Sequence, residues 1–539
     1  MRPVVVLFGA AALAAVTMAF AKDAPSSTDQ TPPPAPDQKS AFFKPTESVT
    51  NGSVTVEGDT VSYQAVAGTL VVHAKDYDDV EGDTEKPKET KDSPAEASMF
   101  YVAYFRRGGD QGSRPITFLF NGGPGSSTVW LHMGAFGPRR VVTLDDSHTP
   151  AAPYKVVNND YSLLDASDLV FVDAPGTGFS RIAGKDKEKA FYGVDADARA
   201  FTDFVTEFLS RYDRWNSPKY LFGESYGTPR ASVMAYDLQS DKSLDLNGVI
   251  LLSQILNFDL SVDGPDANPG VDLPYEVALP TYAATALYHH KVPGNVADVQ
   301  KWAQAAEHFA MTDYARALSV GDSLSRAERL TIANKLHYFT GLPVSYILKA
   351  NLRIDGGEFE KTLQQDTDTT TGRLDTRFSG PTLDPLSKEA DYDPQSAAIS
   401  SAYVSAFNDY ARTSLKYGQN QAYLPEINVF KWWDFKHQQP NTGFAFPGST
   451  NVMPDIATTM KTDPQLHVMV NGGYFDLATP YYEGWYEMHH LPIPDSLRGN
   501  IEYHYYPSGH MVYAHEESLK ALHDNVADFI KRTENNQTH

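Results

Sequence analysis

The chain has 539 residues, no cysteine and a formal net charge of −23 at pH 7. A chain of this length can bury a large hydrophobic core without disulfides. The strong negative charge argues against nucleic-acid partners, because polyanions are bound through basic surfaces. After residue 21, no run approaches the 18 apolar residues of a membrane-spanning helix, so we predict no membrane association of the processed chain.

Residues 1–21 have the features of a secretory signal peptide. A positive start precedes the apolar residues 4–15, and Ala19-Phe20-Ala21 matches a small-x-small cleavage pattern. A membrane anchor is the alternative, but the apolar stretch is short and leads directly into residues 22–45, which we predict to be a disordered, proline-rich linker. We therefore expect an exported protein, either periplasmic or secreted.

Short apolar runs separated by helical patterns indicate an α/β fold with a mostly parallel central sheet flanked by helices. Residues 54–72 alternate with a period of two around Gly58-Asp59, which predicts an antiparallel hairpin at the sheet edge. The acidic residues 76–92 are predicted to form a solvated loop. The predicted strands cover residues 102–105, 116–120, 169–172, 220–222, 249–252, 467–470 and 501–506.

Strand-like apolar runs no longer recur between residues 256 and 464, where helical patterns cover 296–318, 325–351 and 393–417. We predict a catalytic domain formed by residues 46–258 and 460–535, with residues 259–459 inserted as a large helical cap. An insertion there would lie over the carboxyl edge of the sheet, where α/β enzymes bind ligands. A separate domain with its own function is the alternative.

The sequence Gly-Glu-Ser-Tyr-Gly at residues 223–227 lies between a predicted strand and a predicted helix. This pattern is typical of a nucleophile elbow, a sharp turn that exposes a serine above the sheet. Ser225 is therefore the candidate nucleophile. A serine hydroxyl needs a base to accept its proton, so the assignment depends on its partners.

Asp476 and His510 are the candidate partners, because each follows a predicted strand, and the chain order Ser, Asp, His is that of α/β-hydrolases. In this arrangement His510 takes the hydroxyl proton and returns it to the leaving group, while Asp476 orients and stabilises the imidazole. Other histidines near the C-terminus, at 489, 490, 504, 515 and 523, are predicted to be surface or core residues.

A glycine-rich segment at residues 121–127 ends another predicted strand. Its flexible backbone can turn N–H groups toward a reacting oxygen, so we predict an oxyanion hole from the amides of Gly123 and Tyr226. A phosphate loop is the weaker alternative, since no Gly-Lys-Ser/Thr follows. No His-Glu-x-x-His occurs either, and we predict no metal and no cofactor.

Several segments together resemble the serine carboxypeptidases, peptidase family S10. They are residues 121–127, Gly137-Pro138, Asp160-Tyr161-Ser162, residues 172–180, 223–227 and 509–512. The resemblance implies hydrolysis of a peptide bond next to a free C-terminal carboxylate, so the expected partners are peptide or protein C-termini.

At the matching positions, the family places Asn121, the Gly122 amide and Glu224 around the substrate carboxylate. A protonated Glu224 can donate a hydrogen bond to a carboxylate, whereas an ionised one would repel it. The second glutamate of the family's acid pair is replaced by Ala135. We therefore expect Glu224 to ionise at a lower pH than in such a pair, with either weakened C-terminal selectivity or a replacement donor from the cap.

Met511, next to the histidine, is expected on the leaving-group side, with core packing as the alternative. An esterase or acyltransferase is the main rival, because the same triad and oxyanion hole serve any acyl transfer. A catalytically silent binding protein is the rival from another class, although it predicts the loss of a triad residue. The sequence carries no signal for an oligomeric state.

Overall fold

The computed structural model describes residues 43–75, 93–108, 112–445 and 448–534. The predicted signal peptide, most of the predicted linker (residues 22–42) and the acidic residues 76–92 lie outside this part of the chain.

Ten of the described strands form one twisted sheet in the order β1-β2-β3-β7-β4-β9-β10-β13-β14, with β8 also paired to β3. The two remaining pairs, β5–β6 and β11–β12, are short antiparallel ribbons. The strands are β1 (Glu47–Val56), β2 (Asp59–His73), β3 (Glu96–Arg106), β4 (Ile116–Phe120), β5 (Arg139–Val141), β6 (Val156–Asn158), β7 (Asp168–Val172), β8 (Arg181–Ala183), β9 (Lys219–Glu224), β10 (Gly248–Leu252), β11 (Thr369–Thr371), β12 (Ser379–Pro381), β13 (His467–Gly473) and β14 (Ile501–Tyr506).

The predicted parallel sheet is confirmed by the six consecutive strands β7, β4, β9, β10, β13 and β14, which all run in one direction. The first three strands are antiparallel to their neighbours, and β1 and β2 form the predicted hairpin at the edge. The side chains of β4, β7, β9 and β10 are buried throughout, as expected for strands covered by helices on both faces.

Helices cover both faces of this sheet. On one face, α2 packs Phe201, Phe204 and Phe208 into a core shared with β2, β3 and β4, while α13 contributes Leu522 and Phe529 to the core on the other face. The helices are α1 (Lys187–Phe191), α2 (Val194–Arg211), α3 (Gly227–Lys242), α4 (Leu273–Tyr288), α5 (Val299–Phe309), α6 (Ala315–Val320), α7 (Arg326–Thr340), α8 (Val344–Lys349), α9 (Gly356–Thr362), α10 (Pro394–Thr413), α11 (Met453–Thr462), α12 (Tyr481–His489) and α13 (Glu516–Glu534).

The strand order, with β4 between β7 and β9, and a strand-to-helix turn from β9 into α3 at the sheet centre define an α/β-hydrolase fold. The predicted fold class is confirmed.

The inserted region is helical between residues 273 and 362 and has its own hydrophobic core. This core also contains Tyr474, Phe475 and Leu477, which follow β13, so the helices pack at the carboxyl end of that strand. The helical pattern over residues 325–351 does not form a single helix. It breaks between α7 and α8, because Gly341 takes a left-handed φ of 70° and Pro343 follows.

Residues 418–445, which we call the strap, contain neither helix nor strand and lie along the sheet domain. The Ile427 amide donates to the Gly125 carbonyl at 2.9 Å, and the Leu424 amide donates to the Gly178 carbonyl at 3.0 Å. The end of the segment predicted as a helical cap is therefore an extended chain, held by backbone hydrogen bonds beside the glycine-rich loop.

His437 fastens the strap to two helices of the sheet domain. Its Nδ1 lies 2.6 Å from Asp195 at the start of α2, and its Nε2 lies 2.8 Å from the buried Asp455 of α11. Burial opposes the charge on His437, but hydrogen bonds and the charges of the two carboxylates raise its pKa to about 9. The imidazolium is therefore stabilised in the folded protein.

No helix in the described ranges is both long and apolar enough to cross a bilayer.

Candidate active site

Ser225 lies at the turn between β9 and α3, at the carboxyl edge of the parallel sheet. Its φ is +60°, a left-handed conformation that a non-glycine residue adopts only where the surrounding structure enforces it. The turn is tight, because a Cβ on Gly223 would lie 2.0 Å from the Gly227 carbonyl oxygen. The Ser225 amide donates to the Leu252 carbonyl at 2.9 Å, and the residue keeps partial exposure to solvent. These are the features predicted for a nucleophile elbow.

Asp476 and His510, predicted to act together, form a buried pair. His510 Nδ1 lies 2.8 Å from Asp476 Oδ2. Asp476 also accepts the amides of Ala478 and Thr479 at 2.9 and 3.0 Å, and the Thr479 hydroxyl at 2.9 Å. Four donors thus fix the carboxylate, which in turn holds His510 in one ring orientation.

The electrostatics of this pair suit a general base. Burial lowers the pKa of His510, but the charge of Asp476 and its hydrogen bond outweigh burial, so the pKa is raised above 6.5. The Ser253 hydroxyl, just beyond β10, donates to the His510 carbonyl at 2.7 Å. His510 is therefore anchored to the strand that neighbours the one carrying Ser225.

The competing histidines contact groups elsewhere. His504 Nε2 lies 3.5 Å from Glu502 on β14, and His523 Nε2 lies 3.3 Å from Asp165. His489 stacks on Trp485 with ring centroids 3.9 Å apart.

The glycine-rich loop packs directly against the nucleophile turn. A Cβ on Gly122 would lie 2.3 Å from the Tyr226 amide nitrogen, so the two predicted oxyanion segments are in contact. Gly123 is exposed, and its φ of +107° is a backbone angle that only glycine adopts readily. The glycine-rich loop therefore lies against the turn that carries Ser225, and the oxyanion hole from the Gly123 and Tyr226 amides stays a prediction.

Glu224, immediately before Ser225, is buried with 2% exposure and is held by two neutral donors. Asn121 Nδ2 donates to Oε2 at 2.8 Å, and the Tyr513 hydroxyl lies 2.9 Å from Oε2 and 3.1 Å from Oε1. Asn121 and Glu224 are therefore in contact, and the role of Asn121, the Gly122 amide and Glu224 in binding a carboxylate stays a prediction.

Burial raises the pKa of Glu224 to about 7. The charge of His510 and the hydrogen bonds from Tyr513 and Asn121 act in the opposite direction, and Asp476 adds a smaller increase. Loss of the second carboxyl therefore does not leave Glu224 with the pKa of an ordinary glutamate, since desolvation outweighs the groups that lower its pKa. The sequence expectation considered only the missing neighbour and not burial.

Ala135 lies in the buried turn Leu131–Phe136, beside Gly134. A Cβ on Gly134 would lie 2.7 Å from ring atoms of both Tyr403 and Tyr513. The two tyrosines therefore pack against the turn that carries Ala135. The donor to Glu224 is Tyr513, three residues after His510, rather than a residue of the predicted cap.

Met511 is buried, with 6% exposure, in the core that also contains Val512 and Tyr513. Its place on the leaving-group side stays a prediction.

Sequence reasoning missed the buried ion pair of Arg230 and Asp197, which holds the backbone of Asn121. Arg230 Nη1 donates to the Asn121 carbonyl at 2.7 Å, while its Nε and Nη2 bind Asp197 at 2.6 and 3.2 Å. Both side chains are almost fully buried. The sequence carried only a weak signal for this pair, namely one charged residue on the otherwise apolar face of each of two helices.

Comparison with known proteins adds a partial match. The family model described as "Serine carboxypeptidase" (peptidase S10) matches residues 90–263. This range contains the glycine-rich loop and residues 223–227, whereas Asp476 and His510 lie outside it.

Two curated fungal relatives match over short stretches. The pheromone-processing carboxypeptidase KEX1 of Yarrowia lipolytica is 33% identical over 141 residues, which cover 26% of this chain and 21% of the relative. A carboxypeptidase Y homolog of Arthroderma benhamiae is 27% identical over 178 residues, which cover 32% of this chain and 33% of the relative. The chain thus matches between a fifth and a third of the length of these relatives.

Among solved structures, a proline iminopeptidase of Mycobacterium smegmatis has a TM-score of 0.33 at 11% identity, covering 90% of this chain and 99% of that one. A carboxyl esterase of Bacillus coagulans has a TM-score of 0.34 at 12% identity, covering 87% and 99%. The segment at residues 90–263 is thus similar to the serine carboxypeptidase family, peptidase S10, and the two curated relatives are carboxypeptidases.

Proposed function

We propose that the protein is a serine carboxypeptidase that removes residues from peptide C-termini. The observation that carries this proposal is the buried Glu224 carboxyl, which accepts a hydrogen bond from Asn121 and directly precedes the partly exposed Ser225. A general esterase needs a nucleophile and an oxyanion hole, but it has no use for a protonated acid beside them. A protonated acid is a hydrogen-bond donor suited to a substrate carboxylate.

The reaction follows from the positions of the proposed groups. His510 accepts the Ser225 hydroxyl proton as the oxygen attacks the scissile carbonyl, and the Gly123 and Tyr226 amides stabilise the resulting oxyanion. The C–N bond then breaks, and His510 returns the proton to the leaving amine. Water, deprotonated by His510, hydrolyses the acyl-enzyme and restores the free serine.

The leaving amino acid carries the free carboxylate, which Asn121, the Gly122 amide and protonated Glu224 would bind. Below a pH of about 7, Glu224 keeps its proton and donates it in a hydrogen bond. Above that pH, the ionised form repels the substrate carboxylate. Selectivity for free C-termini is thus expected to weaken as the pH rises through neutrality.

The test compares an N-blocked dipeptide with its C-terminal amide between pH 4 and 8. Both substrates need neutral His510, so the ratio of their kcat/KM values isolates the carboxylate site. We expect the free acid to be preferred, with the ratio falling as the pH passes about 7. A Glu224→Gln control retains a donor without a titrating proton and should remove the pH dependence of the ratio. Equal cleavage of the acid and the amide at every pH would contradict the proposal and favour the esterase or acyltransferase reading.

Export is part of the proposal and rests on the signal-peptide pattern of residues 1–21. Fractionation of an expressing bacterial cell, with mass spectrometry of the mature N-terminus, tests it. Cleavage after Ala21 is expected, and recovery of the intact N-terminus in the cytoplasm would refute it.

A further inference from the structure

Tyr513 contacts both oxygens of Glu224. Its hydroxyl lies 2.9 Å from Oε2 and 3.1 Å from Oε1, and the residue is buried with 3% exposure. Both distances are within hydrogen-bond range, and no rotation of the phenol ring is needed to reach either oxygen. The hydroxyl is therefore a fixed donor to the carboxyl group that the proposed function assigns to substrate binding.

The backbone around the turn Leu131–Phe136 leaves room for this ring. Gly134 has no Cβ, and one added there would lie 2.7 Å from ring atoms of Tyr513 and of Tyr403. Ala135 follows with a side chain of a single carbon. The absence of a side chain at Gly134 thus admits the two aromatic rings beside the turn that carries Ala135.

A phenol and a carboxyl differ in what they can give to a neighbouring carboxylate. A carboxyl donates only while it is protonated, so a pair of carboxyls titrates as one coupled unit. Burial, together with the nearby Glu224, raises the pKa of Tyr513 well above 10. Its hydroxyl therefore remains a donor over the whole working range of the enzyme, whatever the charge on Glu224.

We propose that Tyr513 is a positioning residue of the carboxylate site, which supplies Glu224 with a hydrogen-bond donor in a chain that lacks the second glutamate and sets the pH at which Glu224 can bind a substrate carboxylate. This inference rests on the proposed function. When Glu224 is protonated, one of its oxygens accepts from Tyr513, and the acidic hydrogen is oriented away toward the ligand. When it is ionised, Tyr513 and Asn121 stabilise the charge.

The groups that face Glu224 determine whether loss of the Tyr513 hydroxyl raises or lowers the pKa of Glu224. Tyr513 and Asn121 donate hydrogen bonds to it, the imidazolium of His510 attracts its charge, and the Asp476 carboxylate repels it. Removing the Tyr513 hydroxyl destabilises the ionised form more than the protonated form, because a hydrogen bond to a charged acceptor is the stronger one. The pKa of Glu224 should then rise, and free-acid preference should persist to higher pH.

The experiment measures the ratio of kcat/KM for the free-acid dipeptide to that for its amide, as a function of pH, in Tyr513→Phe. We expect the alkaline limb of this ratio to move up by about one pH unit, the shift that the loss of one hydrogen bond to a charged group produces. The change should appear in KM for the free acid, while kcat for the amide stays within about twofold. If kcat changed for both substrates while the pH dependence of the ratio did not, the role of Tyr513 would be merely structural and the inference would be overturned.

The matched control is Tyr220→Phe. Tyr220 is also fully buried and lies on β9, but its hydroxyl contacts Thr533 at 2.7 Å, away from Glu224. It should leave the limb in place. In a Glu224→Gln background, Tyr513→Phe should produce no shift, and a shift that persists there would contradict the inference.

A second readout does not depend on hydrolysis. Carbon-13 NMR of carboxyl-labelled glutamate follows the titration of Glu224, identified by the signal that Glu224→Gln removes. Tyr513→Phe should raise its midpoint, and 3-fluorotyrosine at position 513, a stronger donor that preserves the fold, should lower it. An unchanged midpoint in both would overturn the inference, whereas the predicted shifts without any peptide cleavage would refute only the proposed function.

Discussion

Replacing Arg230 by methionine should destabilise the protein by about 3–5 kcal/mol, because the substitution leaves a buried carboxylate without its partner. Arg230 is 1% exposed and makes three hydrogen bonds, two to Asp197 and one to the Asn121 carbonyl. Leaving the Asn121 carbonyl without its hydrogen-bond donor would by itself destabilise the protein by about 1–3 kcal/mol. The two losses share one site, so they are not additive.

The assay is urea unfolding followed by tryptophan fluorescence. Lys242→Met is a matched control, since Lys242 joins the same two helices through Asp203 at 2.7 Å, but at the surface. It should cost less than about 1 kcal/mol. The double variant Arg230→Met with Asp197→Leu removes both charges and should recover a large part of the loss. A loss below about 1 kcal/mol for Arg230→Met, or a double variant no more stable than the single one, would refute the reasoning.

Two further predictions concern other buried charges. Asp476→Asn should lower kcat by about 10⁴-fold with little change in KM, because the amide no longer holds His510 in the required tautomer. Steady-state kinetics measure the loss, with Asp495→Asn at an exposed position as the control. A loss of kcat below tenfold would contradict the prediction. His437→Gln should cost most stability below pH 6.5, where the folded and unfolded imidazole are both charged, and progressively less as the pH rises toward 9. Urea unfolding of both proteins at pH 6, 7.5 and 9 measures the difference, and a difference independent of pH would exclude the proposed charge effect.

The sheet and the proposed catalytic residues could be predicted from the sequence because their signals are local. Ser225 and Asp476 each follow a buried strand, His510 follows the half-buried β14, and parallel strands bring their carboxyl ends to one edge. Gly123 has a local reason as well, since its φ of +107° favours glycine, whereas Gly122 is required by its contact with the distant Tyr226.

Other parts of the molecule depend on contacts between distant segments. The strap has no periodic pattern, and its position follows from its backbone pairing with distant loops and from the contacts of His437. Tyr513 and Glu224 are 289 residues apart, so the sequence offers no sign that one donates to the other. The pKa of Glu224 likewise follows from burial, which composition and spacing do not reveal.

The most direct test of the proposed function is mass spectrometry of a peptide mixture incubated with the purified protein and, in parallel, with Ser225→Ala. We predict ladders shortened one residue at a time from the C-terminus with the native protein, and intact peptides with the variant. Internal cuts, shortening from the N-terminus, or equal shortening by both proteins would contradict a serine carboxypeptidase that acts through Ser225.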